Sequence, residues 1–317
     1  MSATLRPPAA TGPARLRYPR RTLAVGIIGA GRVGTVLAAA LARAGHRIVG
    51  AAGHDDTDLA TARARLARLL PGTQRLPAAE VARRSELVLL AVPDDVLAPL
   101  VADLAESGSF RPGQLVAHTS GAHGTGVLHP ATAKGAHPLA LHPAMTFTGR
   151  LDDLTRLPGT SYGVTAPDEL RPLAERLVHD LGGVVEWVAE PARPLYHAAL
   201  AHGANHLVTL VNEALDRLRD AGVVHPEKVL APLLGAALAN TLQLGDAALT
   251  GPVSRGDAGT VARHLDALAV VAPESVPAYR ALARRTADRA IAAGRLRPTD
   301  AEPLLDVLAS RRRAVRR

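Results

Sequence analysis

The chain has 317 residues, 47% hydrophobic and 21% charged, which is enough for two domains with cores of their own. No apolar run reaches the roughly 18 residues of a membrane span, and the absence of cysteine excludes disulfides, thiolate metal sites and thiol nucleophiles. The net charge of +8 belongs to the ends: ten arginines in 1–21 and 311–317 leave 27 basic against 29 acidic residues between them, which with 2% aromatics is no nucleic-acid footprint.

Residues 1–21 combine Pro7, Pro8, Gly12, Pro13 and Pro19 with five arginines and lack the apolar stretch of a secretory signal. They are expected to be a disordered basic tail of a cytoplasmic protein, with a second basic tail at 311–317. The apolar run Val25-Gly26-Ile27-Ile28 then breaks into Gly29-Ala30-Gly31-Arg32-Val33-Gly34, the spacing of a dinucleotide-binding turn between a strand and a helix. Gly29 permits the tight turn, Gly31 lets backbone approach a pyrophosphate, and Gly34 lets the helix pack closely on the strand. The helix N-terminus then meets the phosphate charge.

A second strand follows at 47–52. The position at which NAD enzymes carry a ribose-binding acid falls on His54, with Asp55 one residue late. A small residue followed by a protonatable side chain suits a 2′-phosphate, so the cofactor expected is NADP over NAD. A helix over 57–70 stops at Pro71-Gly72. The strand 86–92 ends at Val92-Pro93-Asp94-Asp95, and the strand 114–118 ends at Thr119-Ser120-Gly121. Strands apolar on both faces, alternating with helices, predict an α/β fold with a doubly wound Rossmann-type parallel sheet. Its ligand cleft lies beyond the carboxyl ends of the strands, so Gly29–Gly34, Val92, Pro93, Asp94, Ser120 and Gly121 are its expected walls.

Five histidines fall between His118 and His142, but no pair has compact metal-ligand spacing and no acid lies among them, so no metal is expected. From 161 the pattern changes. A short strand at 162–164, a helix over 167–181 and a strand over 184–188 precede helices at about 195–219, 226–245, 257–270, 274–293 and 299–313. The expected organisation is a dinucleotide-binding domain over 22–160 and a mainly helical domain over 161–310. On the first of those helices Leu200, Ala204, Leu207, Val208, Val211 and Leu215 form an apolar stripe, the expected packing face, with His197 at its start. Asn205, Thr209 and Asn212 border the stripe, where they either face solvent or present donors to a substrate carbonyl; His197 is equally open to a structural or a catalytic role. In the segment 249–257, Asp257 is an expected N-cap and Arg255 is suited to hold a carboxylate.

The glycine fingerprint, Val92-Pro93-Asp94-Asp95, His118-Thr119-Ser120-Gly121-Ala122-His123-Gly124, Leu141-His142-Pro143-Ala144-Met145-Thr146-Phe147, Tyr196 through Asn205, and Thr250 through Asp257 occur in this order. Together they resemble bacterial proteins in which a Rossmann-like domain precedes a DUF2520 domain. The resemblance covers about 22–310. It implies kinship with the 6-phosphogluconate and β-hydroxyacid dehydrogenases, pyrroline-carboxylate reductases and ketopantoate reductases, and an activity of the alternative ketopantoate reductase type in pantothenate synthesis. A homodimer formed through the helical domain is also expected. Those dehydrogenases use a lysine one turn before an asparagine, and here the pair is Ala201 and Asn205. The missing lysine moves the proton donor elsewhere: His197 first, then His202, His142 or Ser120. The expected reaction is NADP-dependent reduction of a small 2-oxo acid, 2-dehydropantoate to pantoate, with Asn205 on the carbonyl and Arg255 on the carboxylate. Reduction of a cyclic imine and dinucleotide sensing without turnover are the alternatives.

Overall fold

The computed structural model describes residues 22–53 and 59–309, so His54 and the two basic ends lie outside the described residues. The chain divides into two compact units at His202 and Gly203.

The first unit is built on β1 (Ala24–Ile28), α1 (Arg32–Arg43), β2 (Arg47–Ala52), α2 (Leu59–Leu69), α3 (Ala78–Arg84), β3 (Leu87–Leu90), α4 (Asp94–Glu106), β4 (Leu115–His118), α5 (His129–Thr132), β5 (His137–Pro143), α6 (Leu151–Arg156), β6 (Ser161–Thr165), α7 (Arg171–Asp180), β7 (Val184–Trp187) and α8 (Arg193–Leu200). The strands form one sheet in the order β2-β1-β3-β4-β5-β6-β7. β1 to β5 run parallel, and every residue of β1, β3 and β4 is buried, which is what helices on both faces require. One core packs α1, α6 and α7 on one face, including Leu37, Leu41, Leu154 and Leu177, and another packs α3, α4 and α5 on the other, including Val81, Leu97, Val101 and Ala131.

Two features depart from the expected parallel domain ending at 160. β6 pairs antiparallel with β5, and β7 pairs parallel with β6, so the strands assigned to the helical domain extend the first unit's sheet. β6 takes its ladder hydrogen bonds from the edge of β5, and β7 from the far edge of β6; alternation of strands with helices cannot show which sheet a later strand joins.

The second unit is helical: α9 (His206–Asp220), α10 (Pro226–Leu244), α11 (Ala258–Val271), α12 (Val276–Ala292) and α13 (Pro298–Ala309). The Asp257 side chain accepts from the Thr260 N–H at 3.0 Å and caps α11, as its position predicts. The continuous helix expected over 195–219 is instead α8, a π-helical segment Ala201–Asn205, and α9. The predicted packing stripe is not buried: α9 buries no residue, and the residue that α8 buries is the charged Arg193. Among the described residues no helix is long and apolar enough to cross a membrane.

Candidate active site

The glycine turn sits where the sheet order reverses, with β1 between β2 and β3. Gly29 has φ +97°, and a Cβ there would fall 2.4 Å from the Ala91 carbonyl oxygen. At Gly34 a Cβ would fall 2.2 Å from the Gly29 oxygen, whereas at Gly31 nothing lies within 4 Å. Gly29 and Gly34 are thus glycines for the protein's own packing, and Gly31 opens onto free space. Gly31 precedes α1 and gives no side-chain cap, so the first N–H groups of α1 face that space. The Gly29 and Ala30 N–H groups donate to the Ala52 oxygen at 2.9 and 3.0 Å, which ties the turn to the end of β2. Arg32 and Val33 follow at the start of α1, and Arg75 Nη2 lies 3.9 Å from where a Gly53 Cβ would be. This cradle fits a dinucleotide: an open glycine, a helix N-terminus and a guanidinium at the end of β2.

Across the same edge, Ala91 N–H donates to Ile28 O and Thr119 N–H donates to Leu90 O, bringing the ends of β1, β3 and β4 side by side. Val92 and Pro93 follow β3, and Asp94 opens α4. Ser120 and Gly121 follow β4, but the Ser120 hydroxyl is committed, accepting from the Ala122 and His123 N–H groups at 3.2 and 3.1 Å. Buried His118 accepts from the Ser120 N–H at Nδ1 and donates from Nε2 to the Gly124 oxygen, so it is neutral, and burial pulls its pKa down to about 4.

Beyond Gly121 three rings converge. His142, near the carboxyl end of β5, is 3.0 Å from the Tyr196 hydroxyl through Nδ1, with the rings edge to face at 5.6 Å. Its ring centroid lies 6.0 Å from that of His197. A Cβ on Gly121 would be 2.8 Å from His197 Cδ2 and 3.0 Å from His142 Nε2, so only glycine leaves room for both imidazoles. Burial lowers the His142 pKa to about 4, helped by His197 and Arg193 and opposed by Asp94.

Arg193 organises the floor. It is 0% exposed and donates from Nε to Thr165 Oγ1, from Nη1 to Ser120 O, and from Nη2 to Ala140 O and Gly163 O, at 2.8 to 3.2 Å. One guanidinium therefore joins β5, β6 and the loop after β4 through neutral oxygens. Burial lowers its pKa from the usual arginine value, as expected for a cation taken from water.

Of the sequence-predicted catalytic residues, the structure brings His142 and His197 together in the first unit. Asn205, at the end of the π segment, and exposed Arg255 belong to the second unit. Arg193 and Tyr196 were missed. Arginine is seldom fully buried, so nothing in the pattern singles out Arg193; Tyr196 had two signals, a rare aromatic beside His197 and its place at the head of one of the motifs that carry the resemblance.

A family model for the Rossmann-like domain matches residues 7–143, and one for the domain of unknown function DUF2520 matches residues 160–286. The two matches give the chain a Rossmann-like region followed by a DUF2520 region. The DUF2520 match begins just before β6 and so reaches into the first unit's sheet. No curated protein matches the sequence. Among solved structures, a Bacteroides fragilis protein provisionally described as an NADP oxidoreductase is similar at TM-score 0.71 and 24% identity, over 84% of this chain and 98% of that one. An imine reductase from Myxococcus stipitatus in complex with NADP+ follows at 0.57 and 17%, over 90% and 100%. The Plasmodium falciparum pyrroline carboxylate reductase with NADP bound stands at 0.55 and 12%, over 84% and 98%.

Proposed function

We propose that this protein is an NADP-dependent reductase of a small 2-oxo acid, with 2-dehydropantoate as the substrate the family resemblance suggests. The observation that carries the reading is the placement of the nucleotide cradle and the His142, Tyr196 and His197 cluster on the carboxyl edge of one sheet. β1 and β5 are three strand spacings apart in the sheet order, about 14 Å at the usual separation. That is the scale of the nicotinamide half of a dinucleotide whose pyrophosphate rests at Gly31.

Gly29–Gly34 and the N-terminus of α1 would hold the pyrophosphate, and Arg75, beside Gly53, favours a 2′-phosphate. His54, where a ribose-binding acid would stand in an NAD enzyme, points the same way. Reduced nicotinamide supplies the hydride when bound. This chain's own residues orient the carbonyl and deliver a proton to its oxygen. Asn205 and Arg255 are proposed to recognise the carbonyl and the carboxylate, and a second copy of the chain to complete the second unit as a homodimer. Cyclic imine reduction is the second reading, favoured by the fold shared with the imine and pyrroline carboxylate reductases.

Purified protein with NADPH against a panel of 2-oxo acids and cyclic imines tests this by loss of reduced-nicotinamide absorbance. Turnover of 2-dehydropantoate is the expected result. Turnover confined to imines would transfer the assignment, and NADPH binding without any turnover would make the protein a sensor. Arg255→Ala should raise KM for the 2-oxo acid by about tenfold or more with kcat nearly unchanged, since a carboxylate held equally in ground and transition states contributes to binding alone.

A further inference from the structure

With Ala201 at the place of the dehydrogenases' lysine, a reductase of this kind needs another proton donor, and the first unit holds a phenol that α8 lays against its sheet. The Tyr196 hydroxyl is 3.0 Å from His142 Nδ1. Its ring lies on Gly163, the residue paired with His142 across β5 and β6, and a Cβ on Gly163 would fall 2.5 Å from the hydroxyl oxygen. A bare backbone position is thus what lets the phenol reach the histidine. Beneath the pair, Arg193 fixes the Gly163 and Ala140 carbonyls and places its guanidinium carbon 5.9 Å from the Tyr196 ring centroid. Tyr196 and His142 are both only partly buried, so neither is sealed from solvent or ligand.

We propose that Tyr196 is the proton donor to the substrate carbonyl oxygen and that His142 re-supplies it through Nδ1. The proposal rests on the reductase reading above. As negative charge develops on the carbonyl oxygen, the Tyr196 Oη–H bond breaks and its proton goes to that oxygen. The His142 Nδ1–H bond breaks and its proton goes to Oη, while Nε2 takes a proton from solvent. One proton is consumed, one O–H bond forms on the product, and His142 begins and ends neutral in opposite tautomers.

The electrostatics agree with the geometry. Burial raises the Tyr196 pKa, with Arg193 opposing, so the phenol keeps its proton at neutral pH. His142, with a pKa near 4, is neutral there and moves protons by exchanging tautomers, never as an imidazolium. The charged and titratable groups facing the pair are Arg193, His197, Asp94 and Glu186. Arg193 is a positioning residue, and so is His142, since both act through Tyr196.

The test combines a readout on cofactor-free protein with turnover. Nitrogen NMR of isotope-labelled histidines should show His142 neutral and protonated on Nδ1, and Tyr196→Phe should move that resonance. In the assay, Tyr196→Phe should lower kcat by about 10²–10⁴-fold while NADPH affinity is retained. Should Tyr196→Phe fail to fold, fluorotyrosine at position 196 lowers the phenol pKa and should shift the basic limb of the kcat profile to lower pH. A structural role would leave that limb in place. Full-rate Tyr196→Phe in an enzyme that turns over overturns this proposal alone, as does a His142 protonated on Nε2 that ignores the substitution. A wild-type protein that binds NADPH and reduces nothing overturns the reductase reading itself.

Discussion

His118 shows how one side chain can be both a strut and a pH liability. Its two ring nitrogens serve opposite roles, Nδ1 accepting from the Ser120 N–H and Nε2 donating to the Gly124 oxygen, so a second proton would destroy the first bond. The folded pKa is near 4 and the ordinary value is 6.5. Above about pH 6.5 both states are neutral and the contribution is whole. As pH falls toward 4 the unfolded chain gains a proton that the folded one refuses, and stability is lost across that window. The gap corresponds to at most about 3 kcal/mol. Urea unfolding at about pH 7 and about pH 4.5 should show a larger loss for the wild type than for His118→Gln. Equal losses in the two proteins would remove His118 from the account. At this scale the sequence was legible where residue chemistry matches residue habit: Gly29, Gly31, Gly34 and Asp257 stood out by type and spacing, whereas His142 and His197 were candidates through the motifs that carry the resemblance and the missing lysine at Ala201. Arg193 did not, because its role depends on carbonyls of β5, β6 and the loop after β4 that only the folded sheet brings together.

Among the elements, the unit β1, turn and α1 is the one whose details the sequence carried furthest, and its three glycines make separable predictions. Gly34 lies under the Gly29 oxygen, so Gly34→Ala must push α1 off β1 and should destabilise by about 1–3 kcal/mol, several degrees of Tm. Gly31 faces open space in an extended conformation that alanine adopts. Gly31→Ala should therefore keep the wild-type Tm and weaken NADPH binding by about tenfold or more, because the added methyl occupies the approach of the pyrophosphate. Calorimetry of both variants checks this, and a Gly31→Ala protein that binds NADPH normally would place the nucleotide elsewhere. Other elements were hidden for identifiable reasons. β5 reads His-Pro-Leu-Ala-Leu-His-Pro, and the prolines at its ends disguised a strand paired on both sides. The break at Ala201–Asn205 was invisible because a π segment conserves composition while shifting phase, so a periodicity count through it returned one continuous stripe.

At the scale of the whole molecule the second unit leaves an apolar helix face uncovered. Its core draws on α11, α12 and α13, with Val261, Leu265, Ala287 and Leu304 at its centre, whereas α9 buries nothing and α10 buries only Pro226 and Leu230. Yet α10 presents Leu233, Leu238 and Leu242 at 63%, 56% and 80% exposure. A groove of about 670 Å³ lined by Leu210, Leu233, Leu268 and Leu282 runs beside it. A helix apolar around most of its surface belongs in an interior. At 19 residues, about 28 Å long, the exposed face is far larger than a metabolite and of the size another helix would cover. A second copy of this chain, presenting the same face, is the occupant proposed, which makes the interface isologous. Sedimentation should give a dimer at micromolar concentration, with a Tm that rises with protein concentration. Leu242→Asp should yield monomers and lower the Tm, since a carboxylate buried without a partner is costly. A wild type that sediments as a monomer, with a Tm independent of concentration, would mean that α10 meets water or a different protein and would remove the homodimer from the proposed assembly.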